Sequence, residues 1–164
     1  MVALELRYAA RYPGATVVNA DVYGHPGFAG GRNILCAVRG DGVLLGYAPL
    51  FPSPVDAAAD PSLPHRLWAA VKPDPDLPPS AAEAVADTLM DHLRAQAATV
   101  AAALPPRRVL LTLECVTTEA PAIRHALAHG FALEARVYAL ARDLPAPLPS
   151  PPPPEGVTVG LPRR

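Results

Sequence analysis

Two apolar runs separated by a polar tetrad give the clearest local signal in this chain. "NILCAV", Asn33 to Val38, is short and apolar enough for a strand. "RGDG", Arg39 to Gly42, is a turn, because Asp-Gly pairs tolerate positive φ. "VLLGYAPLF", Val43 to Phe51, returns as a second strand, so the pair predicts a hairpin. Before it, "ALELRYAARY" reads as a helix ending at Pro13-Gly14, and "ADVYGHPGFAGG" as a turn-rich segment. After it, a loop from Pro52 to about Pro64 leads to a third strand, "HRLWAAV", His65 to Val71.

The period then changes from strand to helix. Val85, Leu89, Leu93, Ala97, Val100 and Leu104 mark one face of a long amphipathic helix, with Asp87, Asp91 and Arg94 off that stripe. "SAAE" from Ser80 is a capping box, with the Ser80 hydroxyl and the Glu83 carboxylate exchanging hydrogen bonds with the first turn. Pro105-Pro106 stops the helix. "RRVLLTLECV", Arg107 to Val116, is apolar enough for a sheet centre covered on both faces. "EAPAIRHALAHG" is a shorter helix with Pro121 in its first turn and Gly130 as its stop. "FALEARVYALARDL", Phe131 to Leu144, holds one bent strand or two. The order predicts a mixed α/β layer with a strand–helix–strand crossover at its middle.

Composition narrows the function classes. At 164 residues the chain suits one domain with a real core. A formal net charge of -1 gives no electrostatic case for nucleic acid or an anionic membrane as partner. No basic stretch followed by an apolar run opens the chain, and no apolar run approaches the roughly 20 residues that cross a bilayer, so the expected address is cytoplasmic. Cys36 and Cys115 fall inside expected strands and read as reduced core thiols outside any metal-ligand spacing. His125 and His129 share a helix face at i, i+4, but no glutamate follows the first and no third ligand is evident, so no metal is expected.

In order and spacing, three segments resemble the GNAT superfamily of acyl-coenzyme A-dependent N-acyltransferases. "ILCAVRGDGVLLGYAPLFP" looks like the family's early hairpin, "LWAAVKPDP" like its "V.P" strand end, and "AIRHALAHGFALEARVYALARDL" like its last helix and strand, with Ala122, Gly130 and Phe131 at the "A......GF" positions. The resemblance covers about residues 15–144. It implies a GNAT-like α/β (α+β) fold, with a central mixed, mostly antiparallel sheet and helices on both faces. The tail "LPSPPPPEGVTV" is similar to the linker between halves of tandem GNAT proteins, so the expected organisation is a domain over residues 1–144 and a proline-rich linker over 145–164 leading to a second domain; a plain C-terminal tail is the other reading. A second GNAT domain or a homodimer is the expected partner.

In that family, the loop before the long helix seats the coenzyme A pyrophosphate on consecutive backbone N–H groups, with glycines allowing close approach. Here the loop is "PDPDLPPS", Pro73 to Ser80: Pro73, Pro75, Pro78 and Pro79 have no N–H, every residue carries a Cβ, and Asp74 and Asp76 add negative charge. Val71, Lys72, Ser80, Ala81 and Ala82 are the positions left to hold acetyl-CoA, and Lys72, the one lysine, is the one compensating cation. The tyrosine that the family commonly places four residues before the "GF" glycine is Ala126 here, and its frequent asparagine is Glu119.

The resemblance puts Glu114 where a general base could act on the amine, at the end of the strand that borders the acyl gap. His25 would border the acceptor pocket as base or substrate contact, Tyr47 would line it, and Trp68 would form a wall of the gap. The plainer reading of each is structural: a solvent-facing sheet-end carboxylate, a turn-packed histidine, a half-buried strand tyrosine and a core tryptophan. Three functions follow in order: a domain of acyltransferase descent with weakened acetyl-CoA binding and a role beside a catalytic domain, an active N-acetyltransferase on an unknown amine, or a small-molecule binding module.

Overall fold

The computed structural model describes residues 1–135, and the compact unit Met1–Ala132 holds every element below. The expected closing strand over Phe131 to Leu144 falls mostly outside the described residues, as does the proline-rich tail; Phe131 to Ala135 form no regular element.

The hairpin forms where the apolar runs placed it, as β1 (Ile34–Val38) and β2 (Leu44–Ser53), antiparallel with Leu35 opposite Ala48 and Cys36 opposite Tyr47. Its turn closes through Arg39 N–H to Val43 O and Gly42 N–H to Arg39 O, both 2.8 Å, with Gly42 at φ 88°. β2 then pairs antiparallel with β3 (His65–Ala69), and β3 pairs parallel with β5 (Val109–Leu113). A two-residue strand, β4 (Lys72–Pro73), leaves the line of β3 and pairs with Gly46 and Tyr47 of β2. The result is a mixed, mostly antiparallel sheet in the order β1-β2-β3-β5, an α+β fold.

Strand alternation sorts the two faces. Ala48 and Leu50 of β2 and Leu67 and Ala69 of β3 point to α2 (Pro79–Ala102), where they meet Leu89, Met90, Leu93 and Ala97 in one buried cluster. Val85, Val100 and Leu104 pack at its margin, as the helical period requires. Tyr47 and Phe51 point to the opposite face. There the 3-10 turns Ala20–Gly24 and Pro26–Gly31 and the helix α1 (Val2–Arg11) bring Tyr23, Phe28 and Glu5 against them. The short helix α3 (Ala120–Ala128) ends at His129 and Gly130, the latter at φ 83°, a conformation open to glycine without cost.

Two local expectations change. α2 begins one residue early, at Pro79, with Pro78 at the N-cap and no side-chain cap bond, so "SAAE" is not a capping box. Proline's φ suits the first helical turn, and it placed the start. The apolar β5 is half-buried along its length and pairs with β3 among the described residues. Cys36 and Cys115 are free and exposed rather than packed in the core, because Leu35 and Ala37 take the α2 face of β1, and Cys115 lies past the end of β5. Partial desolvation beside the protein surface, and then the Glu119 and Glu114 charges, still push the Cys115 thiol up to about 11.

Gly46 lets β4 and α2 approach β2 together. A Cβ there would sit 2.9 Å from Val85 Cγ1, 3.0 Å from Lys72 O and 3.0 Å from Pro73 Cα. Two of those neighbours are backbone and cannot swing away. Gly46→Ala is therefore expected to cost about 1–3 kcal/mol by overpacking, read as a lower urea midpoint with an unchanged slope.

Candidate functional site

Glu5 is one of four buried polar or charged residues in the described core, and the one among them that pairs directly with a lysine. α1 carries it on the same face as Leu4 and Tyr8, one turn apart, so burying that face buries the carboxylate. Lys72 reaches it from β4, with Nζ 3.1 Å from Oε1 and 3.0 Å from Oε2. The Tyr47 hydroxyl donates to Oε1, and the Tyr23 hydroxyl lies 2.9 Å from the same oxygen and 3.1 Å from the Tyr47 hydroxyl. Lys72 Nζ also lies 5.3 Å from the centre of the Tyr8 ring, within range of a cation–π contact.

The surroundings set the protonation. Burial, and then the hydrogen bond to Glu5, hold the Tyr23 phenol above its ordinary range. Burial, and then the Glu119 charge, do the same for Tyr8. Both phenols keep their protons, so Tyr23 remains a donor to Glu5. Glu119 lies buried at the start of α3, its Oε2 3.3 Å from the Val116 N–H. Burial raises its carboxyl, while the Lys72 charge and the Val116 N–H pull it back down and the Glu5 charge adds to the rise. The cluster is a satisfied charge pair rather than a nucleophile beside a base: the Lys72, Tyr23 and Tyr47 donors all end on Glu5, and Glu5 and Lys72 form an ion pair.

The expected site residues separate into two groups. Tyr47 and Lys72 meet at Glu5 in this cluster, so Tyr47 presents its hydroxyl to a carboxylate rather than to an open pocket. Trp68 is half-buried opposite Phe51, and His25 packs its ring 5.1 Å from Phe51, so these two share that face without the charge cluster. His25 Nδ1 accepts the Gly27 N–H at 3.0 Å, and the residue rims a shallow depression formed with Ala20, Asp21, Val22 and Gly24. Glu114 is exposed just past β5, and its N–H donates to Ala69 O at 3.1 Å. β3 and β5 therefore stay hydrogen-bonded along their whole shared length, and no gap opens between them before that point.

The loop before α2 is tied down by its own acids. Arg7 of α1 pairs with Asp74 and, through Nε at 3.1 Å, with Asp76. Asp74 N–H donates to Leu45 O, Asp76 N–H to Asp74 Oδ1, Leu77 N–H to Asp74 O and Ala82 N–H to Pro78 O. Of the first turn of α2, the Ser80 and Ala81 amides remain without an acceptor among the described residues. Val71 is half-buried against the core cluster, with its side chain turned from the loop's outer surface.

Sequence spacing missed Glu5 as Lys72's partner, because 67 residues separate them. It missed Asp87 as well: α3 turns both His125 and His129 toward that carboxylate of α2. A glutamate on the apolar face of α1 was the one available signal for the first.

Lys72→Met strands the Glu5 charge in the core and is expected to cost about 3–5 kcal/mol of unfolding free energy, while adding Glu5→Gln to it recovers part of that loss. Chemical denaturation of the two variants and the parent measures both. Glu119 supplies a pH test. Its folded carboxyl is raised, so between the ordinary value of 4.5 and the raised folded value the native state holds more protons than the unfolded chain. The stabilisation of protonated Glu119 is thus present below that window and lost as pH rises through it. Glu119→Gln keeps a neutral side chain throughout, so parent stability is expected to fall relative to the variant as pH rises above 4.5. A difference independent of pH contradicts this.

No protein-family model matches the sequence, and no curated protein matches it. Among solved structures, the chain is similar to the tetramutant of the BH1408 protein from Bacillus halodurans, with a TM-score of 0.53 and 9% identity over 85% of this chain and 88% of that one. At that identity the likeness concerns the fold alone.

Proposed function

We propose that this chain is a GNAT-type domain that has given up firm coenzyme A binding and serves a structural role beside a catalytic domain, packing against it or shaping its substrate site. The observation that carries the reading is the engagement of Lys72. It is the one lysine in the chain and the one cation the loop could have offered a diphosphate, and Glu5 holds it at 3.0 Å with Glu5 itself buried. A diphosphate at the start of α2 would meet two amides, Ser80 and Ala81, instead of a glycine-lined run, and two aspartates on Arg7. Hydrogen bonds to a charged group contribute roughly 1.5–3 kcal/mol each. Losing two or three of them costs about 3–9 kcal/mol, on the order of 10²- to 10⁶-fold in affinity.

The helix dipole favours an anion at that end, but it falls off within the first turn and Asp74 lies close by.

Thermal unfolding with and without millimolar acetyl-CoA tests it. The expected result is no shift. A ligand at 100 times its dissociation constant adds about 2.7 kcal/mol, a rise of several degrees for a domain of this size. A saturable rise with acetyl-CoA would instead make the domain a working N-acetyltransferase candidate, with Glu114 the first residue to replace. A rise with other small metabolites alone would favour a binding module.

A further inference from the structure

α3 carries two histidines one turn apart, and the fold places a carboxylate beside both. The His125 and His129 rings lie 4.4 Å apart, and each turns Nε2 toward Oδ1 of Asp87, at 2.8 and 3.2 Å. The three candidate ligand atoms all lie within 4.8 Å of one another, and no other such group of three occurs among the described residues. We propose that Asp87, His125 and His129 bind a divalent transition ion of the zinc class, which clamps α3 onto α2.

The donor set suits that ion. Two imidazoles and one carboxylate match the three-protein-ligand arrangement in which zinc keeps a fourth position for water. Bonds of roughly 2.0–2.2 Å around a tetrahedral ion set its ligand atoms about 3.3–3.6 Å apart. The His129–Asp87 separation therefore needs to open by about 0.1–0.4 Å and the His125–Asp87 separation by about 0.5–0.8 Å, within reach of side-chain rotation. Imidazole ligands favour zinc, nickel, copper and cobalt over magnesium or calcium.

The seat is firm and the approach open. Asp87 stands beside Ala86 and one turn from Met90, both buried in the core face of α2, while its own side chain is 52% exposed. Ala126, buried, follows His125, and the backbone N–H of His129 bonds to His125 O at 3.1 Å, so both rings hang from ordered helix. In the ion's absence the same atoms form a hydrogen-bonded trio, with Oδ1 accepting from both rings; the ion takes the place of those ring protons. The site uses none of the residues on which the coenzyme A reading rests, so either can fail alone.

The test uses the full chain, stripped with chelator, dialysed and titrated with zinc chloride by calorimetry. One ion per chain is expected. Cobalt should give the visible absorption of a tetrahedral centre, and magnesium should not compete. Losing an outer-shell partner weakens a metal site roughly 10–100-fold. Losing a ligand should do more, so the double variant His125→Gln/His129→Gln is expected to weaken zinc by more than about a hundredfold. His92→Gln should leave binding unchanged. Should the double variant not fold, His129→Gln alone, at the helix end, reads the same loss. No saturable binding near one equivalent, or unchanged affinity in the histidine variants, overturns the proposal and leaves the trio a hydrogen-bonded contact between helices.

Discussion

The constraint on which the rest of this structure depends is that Glu5 is charged, buried and must be answered. A lone carboxylate in a protein interior is too costly to keep ionised, so it needs a cation and donors for its remaining lone pairs. Lys72 supplies the cation, and Tyr23 and Tyr47 supply donors. Those three come from the short strand β4, a 3-10 turn and the hairpin. One residue of α1 thus fixes the position of three other segments, and its neighbours Leu4 and Tyr8 add the apolar burial that holds the helix down.

That arrangement also decides what the loop before α2 can do. β4 leaves β3 and crosses to β2, which sets Lys72 under α1 and gives Gly46 its crowded surroundings. The acids that follow both pair with Arg7 of the same helix. α1 therefore pairs with all three charged groups of this region, a cation inside through Glu5 and two anions outside through Arg7, and a charged ligand would have to compete with one of those pairs.

Much of the fold was legible in the chain. The Val85–Leu104 stripe, the Asp41-Gly42 turn and the Gly130 stop are local signals, and each acts on its own few residues. The legible errors were also local. At Pro79 the fixed φ of proline outweighed the Ser80 capping pattern. At Cys36, alternation put the neighbours rather than the thiol on the core face.

The candidate site was legible only in part. The proline-rich, acidic character of residues 73–80 and the solitude of Lys72 could be read directly, because composition alone removes amide donors and adds charge. That Lys72 turns to Glu5, that Tyr47 points inward at the same carboxylate, and that Asp87 meets His125 and His129 were decided by tertiary structure. The reason is physical: periodicity reports which face of an element is buried, whereas the partner found across that face depends on how separate elements pack, and Glu5–Lys72 and Asp87–His125 span 67 and 38 residues of chain.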